Sequence, residues 1–340
     1  MLTRRQMLAT SSTFAGYALS VDTVLAQAIK TDTDGIIAGD QVVKIGSYEM
    51  PVYEARPATG KDHSILLVIS EIWGVHEYVR DCARRFAKAG YHAVAPELFK
   101  REGGVAQLPN VQDILKIVLA QKREQTLGDL KAAVDWAKTR PNVKAASVGV
   151  TGWCWGGSTV YQVAATNADM KGAVAWYGPP ARPYQGASGP VTGFDVAKDI
   201  KIPFLGLYGE TDQNPKPEDA KRLGELLKQH NKNAEVVVYP GAGHGFHADY
   251  RRPTTRRQRR TPGSAARTSS RRICARSGQV AAPGIARSRV PRPPPVMPGV
   301  RECCRTARPV RGIGGSGVAP PNLQTVAKKR AGAPSVPAIL

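Results

Sequence analysis

The chain has 340 residues, with 48 Lys and Arg against 27 Asp and Glu, giving a formal charge of +21. Beyond the first 28 residues no stretch stays apolar for the ~20 residues with which a helix crosses a bilayer. Five cysteines, Cys82, Cys154, Cys274, Cys303 and Cys304, fit neither a disulfide framework nor zinc-ligand spacing, so neither a metal nor a cofactor is expected.

The N-terminus places Arg4-Arg5 ahead of a modestly apolar run that ends Val24-Leu25-Ala26-Gln27-Ala28. A basic start, an apolar middle and a small-x-small end predict an export signal over residues 1–28, cut after Ala28. The paired arginines point to the twin-arginine export machinery of bacteria, and so to a periplasmic or secreted protein. Asp22 interrupts the run and argues against a membrane-spanning helix.

Residues 40–250 have the composition of one soluble domain with a sizeable core. Gln41–Ile45 and Met50–Ala55 flank a turn at Gly46-Ser47 and predict an antiparallel pair at a sheet edge. Ser64–Ile69 is a continuous apolar run, as expected of a strand buried on both faces. An amphipathic stretch from Tyr78 to Ala89 follows, then a strand over Tyr91–Ala95 closed by Pro96. A long helical segment is expected over Val111 to Lys138, broken near Gly128. Strands recur at Val148, Ala173–Trp176, Phe204–Tyr208 and Val236–Tyr239. This alternation predicts an α/β fold with a mostly parallel sheet, right-handed crossovers and helices on both faces.

One stretch organises the rest. Gly152-Trp153-Cys154-Trp155-Gly156-Gly157 joins the strand at Val148 to a helical stretch. This is the pattern of a nucleophile elbow, in which a central side chain stands on a strained turn above the sheet edge. A cysteine occupies the central position, at a helix N-terminus whose N–H groups favour a thiolate. In that fold the nucleophile is followed by an acid and then a histidine. Asp212 comes next, in the turn after Phe204–Tyr208, and His244 follows in the glycine turn after Val236–Tyr239. Taken singly, a buried thiol, a loop aspartate and a lone histidine are ordinary structural residues. In this order, at the carboxyl ends of parallel strands, they read as nucleophile, orienting acid and base.

At Arg251 the character of the chain changes. Residues 251–340 carry a formal +19 of the total, 13 of the 26 prolines and no Phe, Trp or Tyr. Without apolar periodicity this tail is expected to be disordered. It reads either as an arm for nucleic acid or an anionic surface, or as the product of a reading frame that slips near Tyr250. The absence of aromatics for base stacking, and the abrupt end of the fold before an expected last helix, favour the slip. No specific nucleic-acid partner is expected.

Glu71-Ile72-Trp73-Gly74, the cysteine elbow, Gly209-Glu210-Thr211-Asp212 and Gly241-Ala242-Gly243-His244-Gly245-Phe246 together resemble the dienelactone hydrolase family (carboxymethylenebutenolidases). The resemblance covers residues 40–250. It implies an α/β-hydrolase with a Cys154, Asp212 and His244 triad, and a glutamate, Glu71, that holds the resting thiol. His244 would take the Cys154 proton, and the thiolate would attack an ester or lactone of a small-molecule substrate. Backbone N–H groups of Ile72 and Trp155 would form the oxyanion hole, and water would hydrolyse the thioester. Family members carry an arginine a few residues after the histidine, which binds the lactone carboxylate. Here that stretch reads Phe246-His247-Ala248-Asp249, which leaves such a carboxylate without its family partner. Trp73, Trp153 and Trp155 are read as pocket walls or as plain packing. A broad-specificity carboxylesterase on the same triad, and a binder acting through the tail, are the alternative readings. The protein is expected to be a monomer.

Overall fold

The two outer strands show how local chemistry starts the sheet. In the computed structural model, which describes residues 29–250, β1 (Ile36–Ile45) and β2 (Tyr48–Pro57) pair antiparallel across Gly46-Ser47. Gly46 turns the chain with a φ of 61°, a conformation that costs glycine little. The expected export signal, residues 1–28, and the basic tail, residues 251–340, lie outside the described residues.

Next come β3 (His63–Ile69), α1 (Glu77–Lys88) and β4 (His92–Pro96). Every residue of β4 is buried, as is Ile65–Ile69, and burial on both faces is why Ile65–Ile69 reads as an unbroken apolar run. After α2 (Val111–Ala120) and α3 (Arg123–Lys138) come β5 (Val143–Trp153), α4 (Trp155–Thr166) and β6 (Met170–Trp176). A small hairpin, β7 (Tyr184–Gly186) and β8 (Gly189–Val191), precedes the short α5 (Gly193–Val196). β9 (Phe204–Gly209), α6 (Pro217–His230) and β10 (Ala234–Tyr239) complete the domain.

The eight-stranded sheet runs β1-β2-β4-β3-β5-β6-β9-β10, parallel from β4 onward. The step from β3 to β4 goes one way across the sheet, and the later steps go the other. Right-handed crossovers therefore put α1 on one face and α3, α4 and α6 on the opposite face, as expected of the fold class. Among the described residues no helix follows β10, and five of its six residues are only half-buried.

One expected boundary is corrected. The helical segment breaks at Gln121-Lys122, and Gly128 lies inside α3. Tertiary contacts decide this. The buried Gln121 amide donates to Glu102 at 2.8 Å, and Lys122 forms a β-bridge with Gln185. Both residues have extended backbones. A helical glycine costs only ~1 kcal/mol, which packing absorbs.

Two polar features tie the outer elements to the core. Glu54 of β2, 3% exposed, meets His92 Nε2 of β4 at 2.8 Å. Arg140 also donates to it, through Nε at 3.1 Å and Nη2 at 3.2 Å. The first described residues are strapped along α1. Thr31 N–H donates to Asp81, Arg84 Nε donates to Thr31 O at 2.8 Å, and Lys88 pairs with Asp32. Arg85 of the same helix reaches Asp249 at 2.7 Å.

Candidate active site

Cys154 caps α4 with φ 55° and ψ −113°, a strained conformation for a residue with a side chain. Its N–H donates to Trp176 O of β6 at 3.0 Å, which pins the elbow to the sheet. The turn is possible because its neighbours lack side chains. A Cβ on Gly156 would stand 2.4 Å from Ile69 O and 2.5 Å from Ser70 O. The helix start can thus press against the end of β3.

Asp212 and His244 arrive from the next two strand ends. Asp212 is 2% exposed; its Oδ1 accepts from Asn214 N–H at 2.8 Å and its Oδ2 from His244 Nδ1 at 2.8 Å. The two turns are locked together, since Thr211 N–H and Thr211 Oγ1 both donate to Ala242 O at 2.9 Å. A hydrogen bond links His244 to Cys154. With Nδ1 on Asp212, the imidazole is left with Nε2 for the thiol. Burial opposes protonation of His244, but Asp212 and Cys154 outweigh it and lift its pKa to about 9. The three residues expected from the sequence are therefore together.

Glu71 and Ile72 lie in the turn after β3, at the same sheet edge. Glu97 holds this turn, accepting from Val75 N–H at 2.7 Å, and Gly74 has φ 72° where a Cβ would meet Glu97 Oε2. Glu71 is 1% exposed; its Oε1 accepts from Tyr177 Oη at 3.4 Å and its Oε2 from the Tyr250 hydroxyl. Tyr177 in turn lies edge-on to His244, with centroids 5.0 Å apart. The N–H of Trp155 begins α4, where helix geometry leaves it without an intrahelical acceptor. Among the described residues neither that N–H nor the Ile72 N–H meets an acceptor. Trp73, Trp153 and Trp155 are all buried, and Trp153 packs against both Trp176 and His247, which also touch each other, so packing accounts for it.

Tyr177 and Tyr250 are the residues that sequence reasoning missed. Tyr177 follows the last residue of β6 and so stands at a strand end like the others. That position was the signal for it. Tyr250 carries no motif, and only the fold brings it to Glu71. Among the described residues no group of three His, Cys, Asp or Glu side chains could hold a metal ion.

The profile of the Dienelactone hydrolase family matches residues 50–272. The chain is 44% identical over 252 residues to a candidate carboxymethylenebutenolidase of Methylorubrum extorquens, covering 74% of this chain and 86% of that one. This chain belongs to the dienelactone hydrolase family. A candidate carboxymethylenebutenolidase of Escherichia coli K12 is 36% identical over 239 residues, which span 70% of this chain and 88% of the relative. A crystal structure of a candidate dienelactone hydrolase from Klebsiella pneumoniae aligns with a TM-score of 0.61 at 36% identity, over 71% of this chain and 97% of that one. This family member has the α/β-hydrolase fold and is a hydrolase acting on esters or lactones.

Proposed function

We propose that this dienelactone hydrolase family member cleaves its ester or lactone through Cys154, His244 and Asp212, by way of a thioester acyl-enzyme. The observation that carries the reading is the hydrogen-bonded line Asp212–His244–Cys154 at adjacent strand ends. His244, oriented by Asp212, draws the proton from Cys154, which gives an imidazolium and a thiolate. The thiolate attacks the carbonyl carbon, and the N–H groups of Ile72 and Trp155 receive the oxyanion. The C–O bond then breaks, and the leaving oxygen takes the proton from His244. Water, deprotonated by His244, attacks the thioester and releases the acid and the thiolate. Glu71, its carboxylate fixed by Tyr177 and Tyr250, holds the thiol before substrate enters. Trapping the acyl group by mass spectrometry tests the proposal: the mass must fall on the peptide containing Cys154 and be absent from the Cys154→Ala protein.

The charge pair also fixes a pH dependence. His244 has a folded pKa above the ordinary 6.5, so its stabilising charge is complete below 6.5 and lost as pH rises through about 9. Hydrolysis should hold through neutral pH and fall with an apparent pKa near 9, when the leaving group loses its acid. In Asp212→Asn, without the carboxylate that supports the imidazolium, this alkaline limb should move to lower pH. A pH–rate profile of kcat/KM for both proteins checks it, and an unmoved limb would count against the pairing.

We also propose export by the twin-arginine route, with the mature chain beginning near Ile29. N-terminal sequencing of protein from a periplasmic fraction tests this, and an intact Met1 on cytoplasmic protein would oppose it.

A further inference from the structure

Tyr250, the last described residue, stands six positions beyond His244. The segment between them is anchored: Ala248 N–H donates to Gly245 O at 2.9 Å, and Asp249 pairs with Arg85 of α1 at 2.7 Å. The Tyr250 ring is fully buried and packs edge-on against Tyr78 and His76, with centroids 5.3 and 5.4 Å away. So held, its hydroxyl donates to Glu71, in the turn that also supplies the Ile72 N–H. Ser70, the neighbour of Glu71, lies against Gly156 of the elbow.

Glu71 differs from the other buried carboxylates. Glu54, Asp81, Asp129 and Asp212 each meet an arginine or a histidine. Among the described residues Glu71 has no cation within ion-pair distance, and its hydrogen bonds come from two neutral hydroxyls. Those bonds must replace the hydration that the carboxylate loses on burial. The Tyr177 hydroxyl is 3.4 Å away, at the limit of a hydrogen bond, so Tyr250 is the close donor. A carboxylate fixed beside the elbow offers the thiol proton an acceptor and opposes a thiolate by like charge.

We propose that Tyr250 is a positioning residue for the reaction, whose hydroxyl holds Glu71 where it restrains the resting Cys154 thiol and so sets how readily that thiol ionises. The proposal rests on the reading that Glu71 holds the thiol, and its test separates the two. Iodoacetamide is the probe, applied to substrate-free, full-length protein, with alkylation read by mass on the peptide containing Cys154. Tyr250→Phe keeps the ring contacts with Tyr78 and His76 and removes only the donor. Its Cys154 should react about 10-fold faster than the parent's at a given pH, the effect of one hydrogen bond to a charged group. The acid limb of the pH–rate profile should move to lower pH, a change that loosened packing would not make. Glu71→Gln should show the same two effects, and Tyr250→Phe/Glu71→Gln should add nothing to them. Cys82, buried on α1, should stay unlabelled in every protein, which shows that the fold has not opened. A parental rate and limb in Tyr250→Phe, beside a fast Glu71→Gln, overturns the proposal and leaves the Glu71 reading standing. Parental behaviour in all three variants overturns both. Effects that add in the double variant, or labelling of Cys82 in step with Cys154, also overturn the proposal.

Discussion

Cys154→Ala is expected to lower kcat/KM for an activated aryl ester by about 10⁴-fold or more, with the melting temperature held within a few degrees. Groups that act as one catalytic unit lose nearly everything when the nucleophile goes. The fold should survive because the elbow is held by backbone contacts, Cys154 N–H to Trp176 O and Gly156 against Ile69 O and Ser70 O. Alanine keeps the first, and the second does not involve the side chain. Cys154→Ser should also be poor, since an alcohol is a far weaker acid than a thiol for His244 to deprotonate. Cys82, buried on α1 and away from the sheet edge, supplies the control. Turnover near the parent rate in Cys154→Ala, or its loss in Cys82→Ala, would sink the assignment of the nucleophile.

Glu54→Ala should produce the largest loss of stability, about 3–5 kcal/mol, which is the cost of breaking one side of a buried ion pair. Glu54 is 3% exposed and receives His92 Nε2 and both donors of the Arg140 fork. Removing it leaves those groups desolvated without their anion. For a domain of this size a loss of that order is a fall of roughly 10 °C in melting temperature. Burial pushes the Glu54 pKa up, but the hydrogen bonds from His92 and Arg140 outweigh it and hold it at about 2, against an ordinary value of 4.5. The stabilisation is therefore complete above 4.5 and lost as pH falls through about 2. Denaturant melts of parent and Glu54→Gln should converge as pH drops through that window. A gap that stayed constant down to pH 2 would show that the ion pair is not its source.

The sequence carried the fold because a strand it buries on both faces is written as an unbroken apolar run, Ile65–Ile69, and the strands alternate with amphipathic stretches. The candidate nucleophile, acid and base were legible for a related reason: each closes a strand, and strand ends can be counted along the chain. Glu71 could be singled out by its motif, but its partners could not. Tyr250 reaches Glu71 across 179 positions, and no local pattern announces a contact of that range. The break between α2 and α3 was misread because propensity drew attention to Gly128, while side-chain contacts of Gln121 set the boundary.

The strap formed by the first described residues bears on how export processing and the His244 turn communicate. The backbone N–H of Ile29 bonds to the Asp249 carboxylate, which Arg85 also holds. Asp249 lies five positions beyond His244 in the chain. Under the proposed cut after Ala28, the Ile29 amide becomes a free ammonium beside a carboxylate with one oxygen buried and unsatisfied. Proteolysis would then add a second cation beside Arg85 at this carboxylate. A cut four residues further on would instead remove Thr31 and Asp32 and leave Arg84 and Lys88 without those partners. The first residue of the proposed mature chain thus rests on the turn that follows His244, on a carboxylate it shares with Arg85 of α1.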